Sequence, residues 1–189
     1  MGQAVSEEVF DVVDESDKPT GKLTTKKESH IEGLPHRVVA VLVFQKGKLL
    51  LQVHESSDGI FDHTVGGHVT ASESYPDAAF REMKEEINLD SPVEQIKLSI
   101  FSDEVWKGDK VTHMFGLFKT EAPESWVFEP NEEVKSLVPM TIEQILSAME
   151  KDPLNFTGGF MATLTAYLES ENKPTNIVRS AAKTKGVTI

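Results

Sequence analysis

Gly67-His68-Val69-Thr70-Ala71-Ser72-Glu73-Ser74-Tyr75-Pro76-Asp77-Ala78-Ala79-Phe80-Arg81-Glu82-Met83-Lys84-Glu85-Glu86-Ile87-Asn88-Leu89 is the stretch on which the reading of this chain turns. Ser74 followed by Asp77 reads as a helix N-cap with a reciprocal partner, and Pro76 fits the first turn, where no amide donor is needed. A helix is expected from about Tyr75. Phe80, Met83 and Ile87 recur at the helical period as its apolar face, and Asn88, which tolerates the left-handed conformation, is placed to end it.

Glu82, Glu85 and Glu86 stand at i, i+3 and i+4 of that helix, so their carboxylates converge on one stripe, expected roughly opposite the apolar one. A solvated helix face is the ordinary explanation of a charge run. Like charges at i, i+4, however, cost a helix about 0.2–0.5 kcal/mol per pair, and Lys84 and Arg81 are expected at the flank rather than between the acids. A hard divalent cation removes the repulsion. Magnesium is the expected ion, with manganese an alternative, because it takes carboxylate oxygens and keeps waters to share with a phosphate.

Gly67, Glu73 and Arg81-Glu82-Met83-Lys84-Glu85-Glu86 resemble the signature of the Nudix hydrolases, Gly-x5-Glu-x7-Arg-Glu-U-x-Glu-Glu-x-Gly-U, where U is apolar. One position departs, Asn88 for the second glycine, and asparagine can take that role at a helix C-terminus. The resemblance implies that Glu82, Glu85 and Glu86 are metal ligands, completed by the Gly66 carbonyl oxygen. It also implies that Glu73 and Arg81 pair across the loop–helix junction and hold the Gly67 loop in place.

Composition agrees with a globular domain. The 189 residues suit one domain, 39% are hydrophobic, and the lack of cysteine excludes disulfides, thiolate metal sites and a cysteine nucleophile. No early apolar stretch has signal-peptide or membrane-span character, so the cytoplasm is the expected location and no membrane partner is expected. A net charge of −12 argues against nucleic acid as a partner. Residues 173–189 carry four basic residues and no acid and are expected as a basic C-terminal tail, either disordered or docked on the acidic body, which leaves −16 on a domain spanning residues 1–172. An acidic body that handles an anionic phosphate needs a cation as intermediary.

In chain order, residues 8–13 read as a strand, 14–21 as a turn-rich loop and 22–25 as its returning partner. Residues 37–44 and 48–54 are expected as a core hairpin, 56–59 as a loop, 61–65 as a short strand and Gly66-Gly67 as a backbone turn. After the helix come a hairpin of 93–105 with 110–120 and a last strand over 134–140. A helix capped by Thr141 and Gln144 follows, then an amphipathic helix through Phe160, Leu164, Tyr167 and Leu168. This order gives an α+β domain; the resemblance sharpens it to a mixed β-sheet sandwiched between helices, α/β/α.

A narrower resemblance precedes the box. Phe10-Asp11-Val12-Val13-Asp14, Gly21, His30, His36-Arg37, Leu49-Leu50-Leu51-Gln52 and Gly67-His68 are similar to type I isopentenyl diphosphate isomerases, themselves of the Nudix fold. In that subfamily the histidines matching His30, His36 and His68 bind a metal. They are expected either as inherited framework or, with His113, as a second metal site. The subfamily's catalytic cysteine falls on Gly66 and its catalytic glutamate on His113. Isomerisation needs a proton donor and acceptor across the double bond, and glycine can be neither. The near-complete box therefore favours Mg2+-dependent hydrolysis of a phosphoanhydride in a small diphosphate compound, with Glu86, or Glu132 or Glu133 in the distal loop, as the base. The alternatives are an isomerase-like protein and a non-catalytic diphosphate sensor. By resemblance, a homodimer is compatible with the chain.

Overall fold

Two short β-forming runs open the fold in the computed structural model, which describes residues 8–54, 59–106, 108–132 and 134–189. Val9–Val13 (β1) and Pro19–Thr25 (β2) pair antiparallel, with Phe10 opposite Thr24, which makes the expected hairpin a little longer than its sequence signal. Thr25 then caps a short helix, Lys26–Glu32 (α1), that the apolar periodicity does not announce. Its signal is the capping box of Thr25 with Glu28, and seven residues are too few for a repeat to show. Gly33, at φ 64°, ends it in the left-handed conformation.

His36–Gln45 (β3) and Lys48–His54 (β4) form the core hairpin, turned through Lys46 and Gly47, both at positive φ. The expected strand over 61–65 is two pieces, Ile60–Asp62 (β5) on β4 and Val65–His68 (β6) on β3. Thr64 makes the break tolerable. Its hydroxyl donates to the Leu50 carbonyl and accepts from Val43 N–H, which replaces the missing ladder bonds. Gly66 and Gly67 consequently lie in β6 and not in a turn. Of the expected 56–59 loop, residues 56–58 lie outside the described residues.

The expected central helix is present as Tyr75–Ile87 (α2), with Ser74 accepting from Asp77 N–H and Asn88 ending it at φ 49°. One part of its apolar face is corrected: Phe80 is 41% exposed, while Tyr75, Ala78, Ala79, Met83 and Ile87 are buried. Ala79, one turn before Met83, takes the seat expected for Phe80.

Glu94–Trp106 (β7) and Asp109–Glu121 (β8) form a long hairpin, and β8 lies parallel to β3 with His113 opposite His36. Leu137–Met140 (β9) adds to β4, three residues later than expected. Ile142–Lys151 (α3) follows its capping box. Gly158–Ser170 (α4) begins at the two glycines under the Thr157 cap, and every residue from Gly158 to Leu168 is buried, so it is a core helix and not an amphipathic one.

The sheet separates two cores. Val38, Ala40, Leu42 and Phe44 of β3 face the layer of α3 and α4, while Val39, Val41 and Val43 face α2. The α/β/α sandwich expected from the sequence is the fold observed. Residues 173–189, expected as a basic tail, instead form Asn176–Lys185 (α5) and a closing bridge. Val178, Ala181, Ala182 and Val187 join the α4 core, and Thr188 exchanges backbone hydrogen bonds of 2.9 and 3.1 Å with Asp103. The charge is real, but the apolar positions between the basic residues decide where the segment lies. Among the described residues no helix is long and apolar enough to cross a membrane.

Candidate active site

Alternation along β6 sends Gly67 toward α2 and Gly66 and His68 toward the opposite layer. Gly67 is required by contact. A Cβ there would stand 1.9 Å from Glu82 Cδ, so the Glu82 carboxylate lies directly over the strand backbone. One residue back, Gly66 N–H donates to Glu86 Oε2 at 3.3 Å. The loop and the first turns of α2 are tied by Arg81, whose Nε and Nη2 reach Glu73 at 2.9 and 2.8 Å and whose Nη2 also donates to the His68 carbonyl at 3.0 Å. Glu73 accepts from Thr70 N–H and hydroxyl as well, both at 3.0 Å. The Arg81 guanidinium holds the Glu73 carboxyl below its ordinary range.

Arg81 is not at the flank of the acidic stripe. Its Nη1 lies 2.7 Å from Glu82 Oε1 and 3.2 Å from Glu85 Oε2, so the protein itself relieves part of the repulsion that argued for a cation. Nor do the three acids stand clear of the apolar face: Glu86 is buried at its border, Glu82 is half-buried and Glu85 is exposed. Burial raises Glu82 above the ordinary carboxylate range, with Arg81 opposing. The donor set is nonetheless all carboxylate oxygen, two members lie against Gly66 and Gly67, and a hard divalent ion fits it in kind. Asn131 Nδ2 donates to the Glu86 carbonyl at 2.6 Å and so brings the distal loop to the end of this helix. Glu132 is exposed there, and Glu133 lies outside the described residues.

On the other face of β6 the four remaining histidines named in the sequence come together. His30 from α1, His36 from β3, His68 from β6 and His113 from β8 each offer a ring nitrogen within 4.8 Å of the others. The parallel β3–β8 register sets His36 against His113, and the β3–β6 register puts His68 beside Val38 on the same face. His36 and His68 stack at 5.2 Å, and Phe10 covers His68 at 4.5 Å. Each Nε2 is buried and has no hydrogen-bond partner among the described residues. Burial pushes all four below the ordinary histidine value, His36 to about 4, against a hydrogen bond from its Nδ1 to the Leu34 carbonyl. At neutral pH these are uncharged imidazoles, the form that ligates metal.

Residues 34–158 match the sequence profile of the NUDIX domain, two thirds of the chain. The chain belongs to the Nudix family. Over 160 residues this Nudix protein is 29% identical to an isopentenyl-diphosphate Delta-isomerase of Pectobacterium atrosepticum, covering 80% of this chain and 87% of that one. Over 91 residues it is 43% identical to an uncharacterised Nudix hydrolase of Nostoc sp., covering 44% and 52%. A solved structure from Deinococcus radiodurans superposes at a TM-score of 0.60 with 19% identity, over 77% of this chain and 90% of that one, which is a likeness of fold alone.

Three residues near the site escaped the sequence reading. Asp62 ends β5 and holds His63, which lies in the break before β6 beside Gly66, and Asn131 anchors the distal loop. Nothing in their local pattern signals a site, because Asp62 is fixed by Thr157 and Asn131 by Glu86, both distant in sequence.

Proposed function

We propose that this Nudix protein hydrolyses the phosphoanhydride of a small diphosphate compound with magnesium as cofactor. The observation that carries this reading is the seating of Glu82 over Gly67 and of Glu86 on the Gly66 N–H, which turns two box carboxylates onto β6 instead of into solvent. Glu82, Glu85, Glu86 and the Gly66 carbonyl would hold the ion, and manganese would fit the same oxygens. Bound there, the ion would supply charge stabilisation on the phosphate oxygens and lower the pKa of water. The chain's own part is to hold the acids in place. Arg81 fixes Glu73 and the His68 carbonyl and holds Glu82 and Glu85 through Nη1, the two acids that would turn to the ion.

The histidine quartet supports a second metal, held by nitrogen alone. Four converging neutral imidazoles without other partners are costly unless something joins them, and such a set suits zinc and its neighbours better than magnesium.

The deciding experiment is phosphorus NMR of the protein with magnesium and a panel of nucleoside triphosphates, ADP-ribose, dinucleoside polyphosphates, nucleotide sugars, coenzyme A and isopentenyl diphosphate. The wild type is expected to cleave at least one anhydride and Glu86→Gln to lose about 10²-fold or more. Conversion of isopentenyl to dimethylallyl diphosphate would establish instead the isomerase that the Pectobacterium relative is named for. Gly66 in place of a thiol and the absence of cysteine argue against that outcome. Line broadening without turnover of any compound would make the protein a diphosphate sensor. Sedimentation of the same sample tests the homodimer.

A further inference from the structure

Val39 lies opposite Gly67, and Phe44 stands further along β3, about 17 Å from it along the strand. At that end of the sheet a cavity of about 560 Å³ opens beside the end of α4, a size that suits a small organic molecule. Its floor is aromatic. Phe44 and Tyr167 pack with ring centres 5.5 Å apart, and Pro92 forms one wall. Strand register builds the mouth: the parallel β3–β8 pairing sets Glu121 against Phe44, and the β7–β8 pairing sets Glu94 against Lys119.

Three carboxylates, Glu94, Glu121 and Glu171, line this cavity against one ammonium, Lys119, which leaves it a net charge of −2. Lys119 Nζ is shared, 3.4 Å from Glu94 Oε1 and 3.5 Å from Glu171 Oε1. Glu121 has no ion-pair partner among the described residues. A second and independent observation lies on the floor. Tyr167 is 7% exposed, and its hydroxyl meets no hydrogen-bond partner among the described residues. Burial first, and then the Glu171 charge, raise this phenol above its ordinary value, so it remains a neutral hydroxyl with lone pairs to offer. A hydroxyl so deeply placed is normally hydrogen-bonded, and its partner has to come from the cavity.

The net charge repels an anion, a hydrated divalent ion gains little from an aromatic floor, and a neutral apolar molecule leaves the Glu121 carboxylate unanswered. An ammonium carried on an apolar body meets every feature. Its N–H groups are donors for Glu121 and for the Tyr167 oxygen, the ring faces attract its charge, and its body lies along Phe44 and Pro92. We propose that this cavity is a binding site for small organic ammonium compounds, separate from the box. The proposal goes beyond the hydrolase reading and does not depend on it.

The test titrates the nitrogen-15-labelled full chain with 2-phenylethylamine, and in parallel with 2-phenylethanol and phenylacetate, its neutral and anionic counterparts, while amide shifts are followed by NMR. The amine is expected to bind with a Kd of about 1 mM or below and to shift Lys119, Thr120, Glu121 and Glu171 while Gly66 and Gly67 stay in place; the alcohol and the acid are expected to bind about tenfold more weakly or worse. Tyr167→Phe, which keeps the ring and removes the hydroxyl, and Glu121→Gln should each weaken the amine by about threefold or more. Lys119→Gln removes the competing cation and should tighten it by about threefold. Phenylacetate or phenylethanol binding as tightly as the amine overturns the proposal, and so does weaker amine binding by Lys119→Gln. Absence of shifts at these residues with about 10 mM amine overturns it too, as does an affinity that neither Tyr167→Phe nor Glu121→Gln changes. Should Tyr167→Phe unfold by circular dichroism, Glu121→Gln at the exposed mouth and Lys119→Gln, with their opposite expected signs, decide alone.

Discussion

Gly67 shows how narrow the tolerance of the box is at the level of one residue. The Glu82 carboxylate occupies the space where any side chain would begin, so Gly67→Ala must push Glu82 or bend β6. We expect a loss of about 1–3 kcal/mol in urea unfolding together with a fall in magnesium affinity by calorimetry. Unchanged affinity would show that Glu82 does not hold the ion. Arg81 has an equally specific task. It grips Glu73 through two nitrogens and reaches Glu82, Glu85 and the His68 carbonyl, which the single ammonium of lysine cannot do. Arg81→Lys should therefore lower kcat by about tenfold or more while the protein stays folded, as read by steady-state kinetics beside circular dichroism.

At the level of elements, α2 is delimited by cues that were all present locally: the Ser74 cap, Pro76 in the first turn and Asn88 at φ 49°. Asn88→Ala should cost about 1 kcal/mol, because alanine resists the left-handed conformation, while Asn88→Gly should stay within about 0.5 kcal/mol of wild type. Equal losses in urea melts would remove the capping argument. The last helix teaches a different lesson. Its basic residues drew the sequence reading toward a tail, whereas Val178, Ala181 and Ala182, spaced three and one apart, are buried against α4. Ending the chain at residue 172 should therefore lower the urea midpoint sharply or leave the protein unfolded, and an unchanged midpoint would show that α5 is dispensable.

For the whole molecule, the quartet couples stability to pH. His36 falls from an ordinary value of 6.5 to about 4 in the fold, so between those values the unfolded chain binds more protons than the native one. Its contribution is fully present above about pH 6.5 and is lost as the pH drops toward 4, about 3 kcal/mol from this residue alone. Chelator-treated protein should show a lower urea midpoint at pH 5 than at pH 7.5, and zinc should raise the midpoint at pH 7.5. A midpoint indifferent to both would mean that the imidazoles neither stay neutral nor hold an ion. The sequence by itself determined the family signature, the box acids, the limits of α2 and the α+β class, because each is written in short-range spacing or the order of apolar runs, while the sandwich came by resemblance. It also supplied the quartet as a list of names by resemblance. Only the tertiary structure decided that Arg81 lies among the acids, that residues 173–189 belong to the core, that the quartet faces away from Gly67 and that Asp62 and His63 stand beneath Gly66. Those facts follow from strand register and from contacts between residues tens of positions apart, which no local pattern encodes.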